Sequence, residues 1–478
     1  MLDELVSLMS GAAGAVDYAD CRWVATEREL LTLRNGRVAR IDSDTEEGVG
    51  VRVRHGGAWG FAATAYATGD GLRRALQRAL AVARAQPPVA ASPLAPVSVA
   101  RGHWAGPCDR DPLAVGLEAK LDLLGQAEAG LRSDPRIVRS EAHALAIRTR
   151  KAFASTEGGA CTQELTECGG SLAAYALQDD ELQTRSYPAA HGGSTAAGGW
   201  ELVEALDLTA AAPRVADEAL ALLSAPPCPA GPTTVILDAE QLALQLHESV
   251  GHALELDRML GGEASYAGTS WVGPRDVGSL RYGSPAMTVV ADATLAGALG
   301  SFGWDDEGVP ARVLTLVEEG ILRSALSSRE SATAIGEPAS GGCMRADGWA
   351  RQPIVRMTNV SLSPGQAGSL EELVADTGDG LLLSTNRSWS IDHRRLHFQF
   401  GCELAREIRD GRLGRLYRNP VYAGVTPRFW AGLDAVCSAS EWRVHGLLNC
   451  GKGEPAQVAH VSHGTAPARF RDVDVRAA

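Results

Sequence analysis

Apolar and polar residues follow two different patterns along the first part of the chain. Residues 1–14 predict a short helix, whereas residues 17–65 alternate apolar and polar side chains, which is typical of strands. The Arg-Asn-Gly-Arg segment at 34–37 predicts a hairpin turn between two of these strands. Helical spacing of apolar residues returns at 71–85, and a Pro- and Ala-rich connector follows at 86–97.

The middle of the chain continues this mixture and then breaks. The pattern predicts a helix at 112–132, strands at 135–190 and a mostly helical segment at 200–225. The Pro-Pro-Cys-Pro-Ala-Gly-Pro segment at 226–232 is the sharpest change of composition. A strand of the buried type, Thr-Thr-Val-Ile-Leu-Asp at 233–238, comes directly after it. We therefore place a domain boundary at this segment.

The second half of the chain is Gly-rich and strand-like from about residue 260 onward, with few long helices. A chain of 478 residues is also too long for one ordinary core. We predict an α+β fold with two domains. Residues 1–225 form an N-terminal mixed α/β domain, and residues 226–478 form a β-rich C-terminal domain.

Composition narrows the function classes. The net charge of -13 argues against nucleic acid as a partner, because a polyanion attracts basic surfaces. The sequence has no apolar stretch of 18 residues and no basic region at its acidic N-terminus, so we expect neither a membrane helix nor a secretory signal. Nine cysteines, an odd number without a C-x-x-C pair, favour reduced thiols and a cytoplasmic location.

The segment that follows the 233–238 strand combines two histidines and a glutamate. His247, Glu248 and His252 form H-E-x-x-x-H, one residue longer than the H-E-x-x-H of zinc peptidases. In a regular α-helix, positions i and i+5 lie roughly 140° apart and cannot share one metal ion. A π-bulge would absorb the extra residue, and Gly251 would let the backbone deviate at low steric cost. Asp238 is a plausible N-cap for this helix.

The motif by itself leaves two interpretations open. Two neutral imidazoles can hold zinc while a carboxylate acts as the base for water. Two ordinary histidines near a helical glutamate would produce the same letters by chance, and the six positions alone do not decide between these interpretations.

Five segments in the same order along the chain resemble the TldD/PmbA family of zinc metalloproteases, and its metal-bearing TldD-like branch in particular. The resemblance covers nearly the whole chain. The segments are GVGVRVRHGGAWGFAAT at 48–64, HESVGHALELD at 247–257, SFGWDDEGVPARVLTLVEEGIL at 301–322, PIVRMTNVSLSPG at 353–365 and CGKGEPAQ at 450–457.

This resemblance implies a site and a reaction. The zinc ligands would be His247, His252 and Cys450, and Glu248 would be the catalytic base. A histidine pair with one thiolate leaves a coordination position for water, so the implied ligand set is chemically consistent with a catalytic Zn²⁺ site. The family also implies hydrolysis of small or unfolded peptides, inside a heterodimer with a PmbA/TldE-like paralogue that lacks the metal motif.

Other residues near these segments have open roles. The segment after Cys450 departs from the family pattern C-G-K-x-G-Q. There, His460 and His463 are alternative ligands, donors to the tetrahedral intermediate, or plain loop histidines. Glu255 and Asp257 either orient a ligand or lie on a solvated helix face.

Arg356 either binds a peptide carbonyl or forms a structural ion pair, and we favour the ion pair. The acidic Asp-Asp-Glu-Gly segment at 305–308 lacks the spacing of an EF-hand and predicts a turn.

Two alternatives to a peptidase remain. The chain could be a non-catalytic partner or scaffold subunit, which the intact motif argues against. It could instead hold a structural zinc ion, and a fourth protein ligand would favour that interpretation. The peptidase interpretation predicts a helix widened between His247 and His252, with the Cys450 sulfur near both imidazoles.

Overall fold

The computed structural model describes residues 1–87, 93–191 and 193–478, so residues 88–92 of the predicted connector lie outside the described residues. The helices and strands of the first half are α1 (Leu2–Ala12), β1 (Tyr18–Arg34), β2 (Arg37–His55), β3 (Ala58–Thr64), α2 (Gly69–Ala85), β4 (Arg101–Ala105), α3 (Leu117–Leu131), β5 (Ile137–Ser155), β6 (Ala160–Gln178), β7 (Glu181–Tyr187), β8 (Ser194–Ala197), α4 (Glu201–Ala205) and α5 (Leu208–Ser224).

Most of the predicted elements of this half are confirmed. The hairpin turn between β1 and β2 has positive φ at Asn35 (48°) and Gly36 (74°), as a two-residue turn between twisted strands requires. One boundary was wrong: the helix expected from residue 112 begins at Leu117. The mostly helical segment 200–225 is confirmed and consists of α4 and α5, separated by Asp207 in the left-handed conformation.

The first half folds around one sheet with strand order β3-β2-β1-β5-β6-β4, to which β7 and β8 add by pairing with β6. Neighbouring strands are antiparallel except β4 and β6, and β1, β2, β5 and β6 are 17 to 19 residues long. Alternate residues of β1 and β5 pack against α1 and α2 at one end of a sheet face and against α3 and α5 at the other.

The second half is rich in strands and has only short helices, as predicted. Its elements are β9 (Gly231–Leu237), α6 (Ala239–Leu246), α7 (Leu256–Met259), β10 (Val289–Asp292), β11 (Val313–Glu318), β12 (Ile321–Leu322), β13 (Met344–Arg345), β14 (Ile354–Val355), β15 (Val360–Leu362), α8 (Leu370–Thr377), β16 (Gly380–Ile391), β17 (His397–Arg409), β18 (Arg412–Arg418), β19 (Pro420–Val425), α9 (Thr426–Ala431), β20 (Leu433–Val436), β21 (Arg443–Lys452), β22 (Gln457–Thr465) and β23 (Ala468–Ala477).

Five strands of this half close on themselves. β16 pairs with β9, β9 with β23, β23 with β19, β19 with β17, and β17 again with β16. Aromatic side chains stack within the closed sheet, including Phe400 on Tyr422 at a centroid distance of 5.6 Å. The helix that carries the histidine motif consists of α6 and the residues that continue it through His252, and we call it the histidine helix. It begins where β9 leaves the closed sheet, and its residue Gln241 donates to the Tyr422 hydroxyl at 2.8 Å.

The α+β fold class is therefore confirmed, with a strand-rich C-terminal portion. The boundary between 1–225 and 226–478 stays a prediction. Among the helices of the described residues, none has the length and apolarity to cross a membrane.

Charged residues of the N-terminal sheet meet the predicted turn at 305–308 in a buried ion-pair network. Arg22 and Lys151 each contact Asp306, at 3.2 and 3.3 Å. Arg52 lies 3.3 Å from Glu307 and also pairs with Asp20, and all three of these side chains are at most 3% exposed. The turn is thus present, and its carboxylates attach the second half of the chain to the face of β1, β2 and β5.

The histidine helix changes its geometry within the motif. Asp238 caps α6 as predicted, because its carboxylate accepts from the Gln241 amide at 2.8 Å. Residues His247–Gly251 then form a π-helical turn, in which the amide of His252 donates to the carbonyl of His247. The predicted widening is confirmed, and the longer turn returns position i+5 to the face of position i.

The reason for a glycine at position 251 differs from the one expected. Gly251 has ordinary helical dihedrals, φ −53° and ψ −61°, so its conformational freedom is not needed. A Cβ at this position would lie 2.0 Å from the Sδ atom of Met357, which is fully buried. The glycine therefore permits close packing of the widened turn against Met357.

Arg52 provides a test of the network between the two halves. Arg52→Met should lower the free energy of unfolding by about 3–5 kcal/mol, because it leaves Asp20 and Glu307 buried without their cation. Arg28→Met is the matched control, since Arg28 and Asp44 form an exposed pair at 3.6 Å and should contribute less than about 1 kcal/mol. Urea unfolding of both variants gives the comparison, and equal losses would contradict the role of burial.

Gly251→Ala tests the packing of the widened turn. We expect a loss of about 1–3 kcal/mol from the clash with Met357, measured by thermal unfolding. The double variant Gly251→Ala/Met357→Ala should lose less free energy of unfolding than the sum of the two single variants. The reason is that Met357→Ala removes the sulfur atom with which the added Cβ clashes. Gly11→Ala is the control, since an added Cβ meets no atom within 4 Å in α1. Additive losses would show that the contact does not limit residue 251.

Candidate metal centre

Three side chains with metal-ligating atoms converge beside the widened turn. His247, His252 and Cys450 place one such atom each within 4.8 Å of the others, and all three residues are buried. The Cys450 Sγ atom lies 3.6 Å from Nε2 of His252. The two imidazole rings are 4.7 Å apart at an angle of 82°. Cys450 reaches the cluster from β21, about 200 residues along the chain from the helix.

A chain of hydrogen bonds determines which nitrogen of His247 faces the cluster. His463 Nδ1 lies 2.7 Å from the carbonyl oxygen of Val360, which can only accept, so Nδ1 carries the proton. Nε2 of a neutral His463 then accepts from Nδ1 of His247, 2.7 Å away. This arrangement leaves the lone pair of His247 on Nε2, the atom available to a metal ion.

His252 is oriented by a carboxylate in the same way. Its Nδ1 atom lies 3.0 Å from Glu255, which is fully buried, so Nε2 is left facing Cys450. Lys452 lies 3.4 Å from Glu255 and donates to Asp257 at 2.7 Å. Burial raises the pKa of Glu255, but Lys452 and His252 outweigh it and hold this pKa well below its usual range. Glu255 thus orients the ligand candidate, and the solvated-face alternative was wrong for this residue.

Cys450 differs electrostatically from the rest of the cysteines. Burial raises the pKa of its thiol, but His252 and Arg356 overcome this and lower the pKa below its ordinary value. Burial raises the pKa of the other eight cysteines. Arg356 donates to the backbone carbonyl oxygens of Cys450 and Gln457 and makes no ion pair among the described residues, so the expected ion pair was wrong. Its alternative role, binding the carbonyl of a substrate peptide, stays a prediction.

Burial favours the neutral form of the histidines in the cluster. It lowers the pKa of His247 to about 4, and it lowers the pKa of His252 and, strongly, that of His463. A metal-binding imidazole must be neutral and a metal-binding thiol must be ionised. The directions of these shifts match both requirements.

The donor set fits a tetrahedral zinc ion. Ligand bonds of about 2.0–2.3 Å place the donors of a tetrahedral site roughly 3.3–3.8 Å apart. The distance of 3.6 Å between Cys450 Sγ and His252 Nε2 lies in this range. All three donor atoms lie within 4.8 Å of one another, an upper limit that is slightly wider than the range. Over residues 1–87, 93–191 and 193–478, the group contains three donors and no fourth, so a tetrahedral ion would keep one position free.

Glu248 lies next to His247 in the widened turn, and its side chain is only 8% exposed. Its Oε2 atom accepts from Nη1 of Arg395, which reaches the site from a turn 147 residues away. The sequence pattern did not single out Arg395. No periodicity or spacing connects it with the motif, because the contact depends on how β16 and β17 pack beside the helix.

The predicted loop after Cys450 is instead a hairpin of β21 and β22, in which Cys450 lies opposite Ala459. His463 on β22 holds His247, whereas His460 contacts Glu167 of β6 at 2.6 Å, outside the group of metal-ligating atoms. Both histidines are therefore strand residues with specific partners, and the plain-loop alternative was wrong.

A cavity of about 50 Å³ is lined by His463, together with Thr195 of β8, Gly446 and Asn449 of β21, and Leu244 of α6. Asn449 directly precedes Cys450 and Leu244 lies three residues before His247, so the cavity borders the cluster.

Comparison with known families places the whole arrangement in one group of proteins. Residues 230–477 match the PmbA/TldA metallopeptidase C-terminal domain, residues 19–83 match domain 1, and residues 110–223 match the central domain.

Individual relatives agree. A metalloprotease of Methanocaldococcus jannaschii is 30% identical over 443 residues, which cover 91% of this chain and 92% of the relative. A zinc metalloprotease TldD homolog of Saccharolobus solfataricus is 27% identical over 199 residues, 41% of this chain and 42% of the relative. The crystal structure of TldE from Thermococcus kodakarensis has the same fold, with a TM-score of 0.75, 14% identity and 99% coverage of both chains. The three domain matches and the 30% identical relative show that this chain is a member of the PmbA/TldD family of metallopeptidases.

Proposed function

We propose that this chain is a zinc-dependent peptidase in which His247, His252 and Cys450 hold Zn²⁺ and Glu248 is the general base. The observation that carries the proposal is the convergence of two neutral imidazoles and an ionisable thiol beside a buried carboxylate. The family and the names of the relatives support the same activity.

The residues of the chain divide the work of hydrolysis. Zinc, when bound, supplies a Lewis acid that polarises the peptide carbonyl and acidifies a water molecule. Glu248 takes a proton from the attacking water and later delivers it to the leaving amine nitrogen. His463 and Glu255 hold the two imidazoles in the tautomer that leaves the lone pair on Nε2, the atom that would bind the ion, and Arg356 holds the backbone of Cys450.

The burial of the site supports small or unfolded peptides as substrates. Counted over the whole residue, His247, Glu248, His252 and Cys450 are each at most 6% exposed, so a folded protein surface cannot reach them in this conformation. An extended peptide has free backbone groups and can add to the edge of a strand, which tolerates many side chains. Among the described residues β21 pairs in a sheet with β22 alone, and its second edge beside the small cavity is suited to such binding.

We further propose that the chain works in the cytoplasm, in a heterodimer with a PmbA/TldE-like paralogue. The likeness of its fold to TldE supports a paralogous relationship between the two kinds of chain. Nine cysteines that are all free, eight of them buried, suit a reducing compartment.

Two other functions fit less well. A scaffold subunit has no need for a low thiol pKa at Cys450 or for oriented imidazoles. A structural zinc site would use a fourth protein ligand, which the group lacks among the described residues.

Cys450→Ala tests the ligand assignment. The variant should lose most of its bound zinc, measured by elemental analysis after dialysis against a weak chelator, because it removes the anionic donor of the group His247, His252 and Cys450. Cys437→Ala is the matched control, since Cys437 is equally buried but its thiol pKa is raised to about 11 by burial. Unchanged zinc content in Cys450→Ala would contradict the assignment.

Glu248→Gln separates zinc binding from catalysis. We expect the variant, co-expressed with a PmbA-like partner, to retain zinc and to cleave unfolded peptides at least about 10²-fold more slowly, because it lacks the general base. Mass spectrometry of the peptide products gives the rates. Equal cleavage by wild type and variant would contradict the role of Glu248, and a zinc-loaded wild type without cleavage would favour the scaffold or structural interpretation.

A further inference from the structure

Arg395 contacts Glu248, the proposed general base, from outside the histidine helix. It lies in the turn between β16 and β17, and its Nη1 atom donates to Oε2 of Glu248. Its side chain is 15% exposed, so a positive charge is held inside the site rather than on its surface.

The turn that presents this side chain is strained and firmly anchored. Arg395 has φ +61°, in the left-handed region that costs a non-glycine residue roughly 1–2 kcal/mol. Its amide donates to the Asp392 carbonyl at 2.9 Å, and its own carbonyl accepts from the Thr426 hydroxyl at 2.7 Å. The Asp392 carboxylate also accepts from the Leu396 amide at 2.9 Å. Strain that the surroundings hold in place is a feature of functional sites.

One donor of the guanidinium group has no protein partner. The Nε atom of Arg395 is buried and makes no hydrogen bond within the described residues. A buried donor without an acceptor costs about 1–3 kcal/mol, and a ligand oxygen would remove that cost.

The position of Arg395 also suits the chemistry of hydrolysis. A guanidinium group whose buried Nε–H has no partner within the described residues, and which has the base as its neighbour, is suitably placed for the substrate oxygen that gains charge during hydrolysis.

We propose that Arg395 donates a hydrogen bond to the carbonyl oxygen of the scissile peptide bond and stabilises the oxyanion that forms there. The ion pair with Glu248 is the resting position of the guanidinium group. This inference rests on the proposed peptidase function.

The step balances without a further reactant. The water oxygen bonds to the carbonyl carbon, the electron pair of the C=O double bond moves to the carbonyl oxygen, and Glu248 accepts the proton of the water. When the tetrahedral intermediate collapses, that electron pair re-forms the C=O bond, the C–N bond breaks, and the nitrogen takes the proton from Glu248.

Arg395→Gln and Arg395→Lys test the catalytic part of the proposal. Removing an oxyanion donor should lower kcat by about 10²–10³-fold for the glutamine variant, with a small change in KM. The lysine variant keeps the charge and should recover part of the loss. Arg394→Gln is the control, because Arg394 is the exposed neighbour in the same turn and should leave kcat unchanged. Zinc content and melting temperature are measured for every variant.

A binding experiment distinguishes direct contact from action through Glu248. The probe is a phosphinic analogue of a peptide that the wild type cleaves, compared with the peptide itself, by calorimetry in zinc-loaded Glu248→Gln protein. Adding Arg395→Gln should weaken the tetrahedral, negatively charged analogue by about 10²-fold and the peptide by less than about 5-fold.

Three outcomes would overturn the proposal: an unchanged kcat in Arg395→Gln, equal losses for peptide and analogue, or a loss that disappears when Glu248 is already glutamine. The last of these would make Arg395 a positioning residue for the base. A wild type that cleaves no peptide would instead contradict the proposed function, so the two failures are distinguishable.

Discussion

The site depends on one geometric constraint: two histidines five residues apart must point the same nitrogen at one thiol. A regular α-helix separates such positions by roughly 140°, so the backbone itself has to change. The π-helical turn at His247–Gly251 meets this constraint with a hydrogen bond from His252 to His247. The surroundings hold the turn in place, because Tyr282 donates to the Ser249 carbonyl and Trp430 donates to the Ser249 hydroxyl, at 2.5 and 2.9 Å.

Each metal-ligand candidate is supported by a second residue from a different part of the chain. Val360 and His463 determine the tautomer of His247, and Glu255 determines that of His252. Lys452, two residues after Cys450, returns to the helix and contacts Glu255 and Asp257. The β21–β22 hairpin therefore supplies both the Cys450 thiol and the Lys452 cation beside Glu255, the carboxylate that orients His252. This contact couples the hairpin electrostatically to the histidine helix in a low-dielectric interior.

The two halves of the chain contribute differently to this arrangement. All residues of the metal-ligating group come from the second half. The long sheet of the first half contacts the hairpin through Glu167 and His460, which lie 2.6 Å apart. Burial lowers the pKa of His460, but Glu167 outweighs this and raises it. Arg22, Arg52 and Lys151 contact the acidic turn at 305–308 in the same way. Complementary charges thus position the second half against the sheet face opposite to α1, α2, α3 and α5.

The sequence by itself determined the α+β class, the hairpin at Asn35 and Gly36, the cap at Asp238, and the need for a widened helix, because these follow from local periodicity, turn chemistry and helix geometry. The family resemblance supplied Cys450, which no spacing could have connected to His252. Only the tertiary structure decided the partners of His463, Arg356 and Arg395 and the true reason for Gly251. Those features depend on contacts between residues far apart in the chain, which local patterns do not encode. They therefore become visible only when the sheets, the hairpin and the histidine helix are packed together.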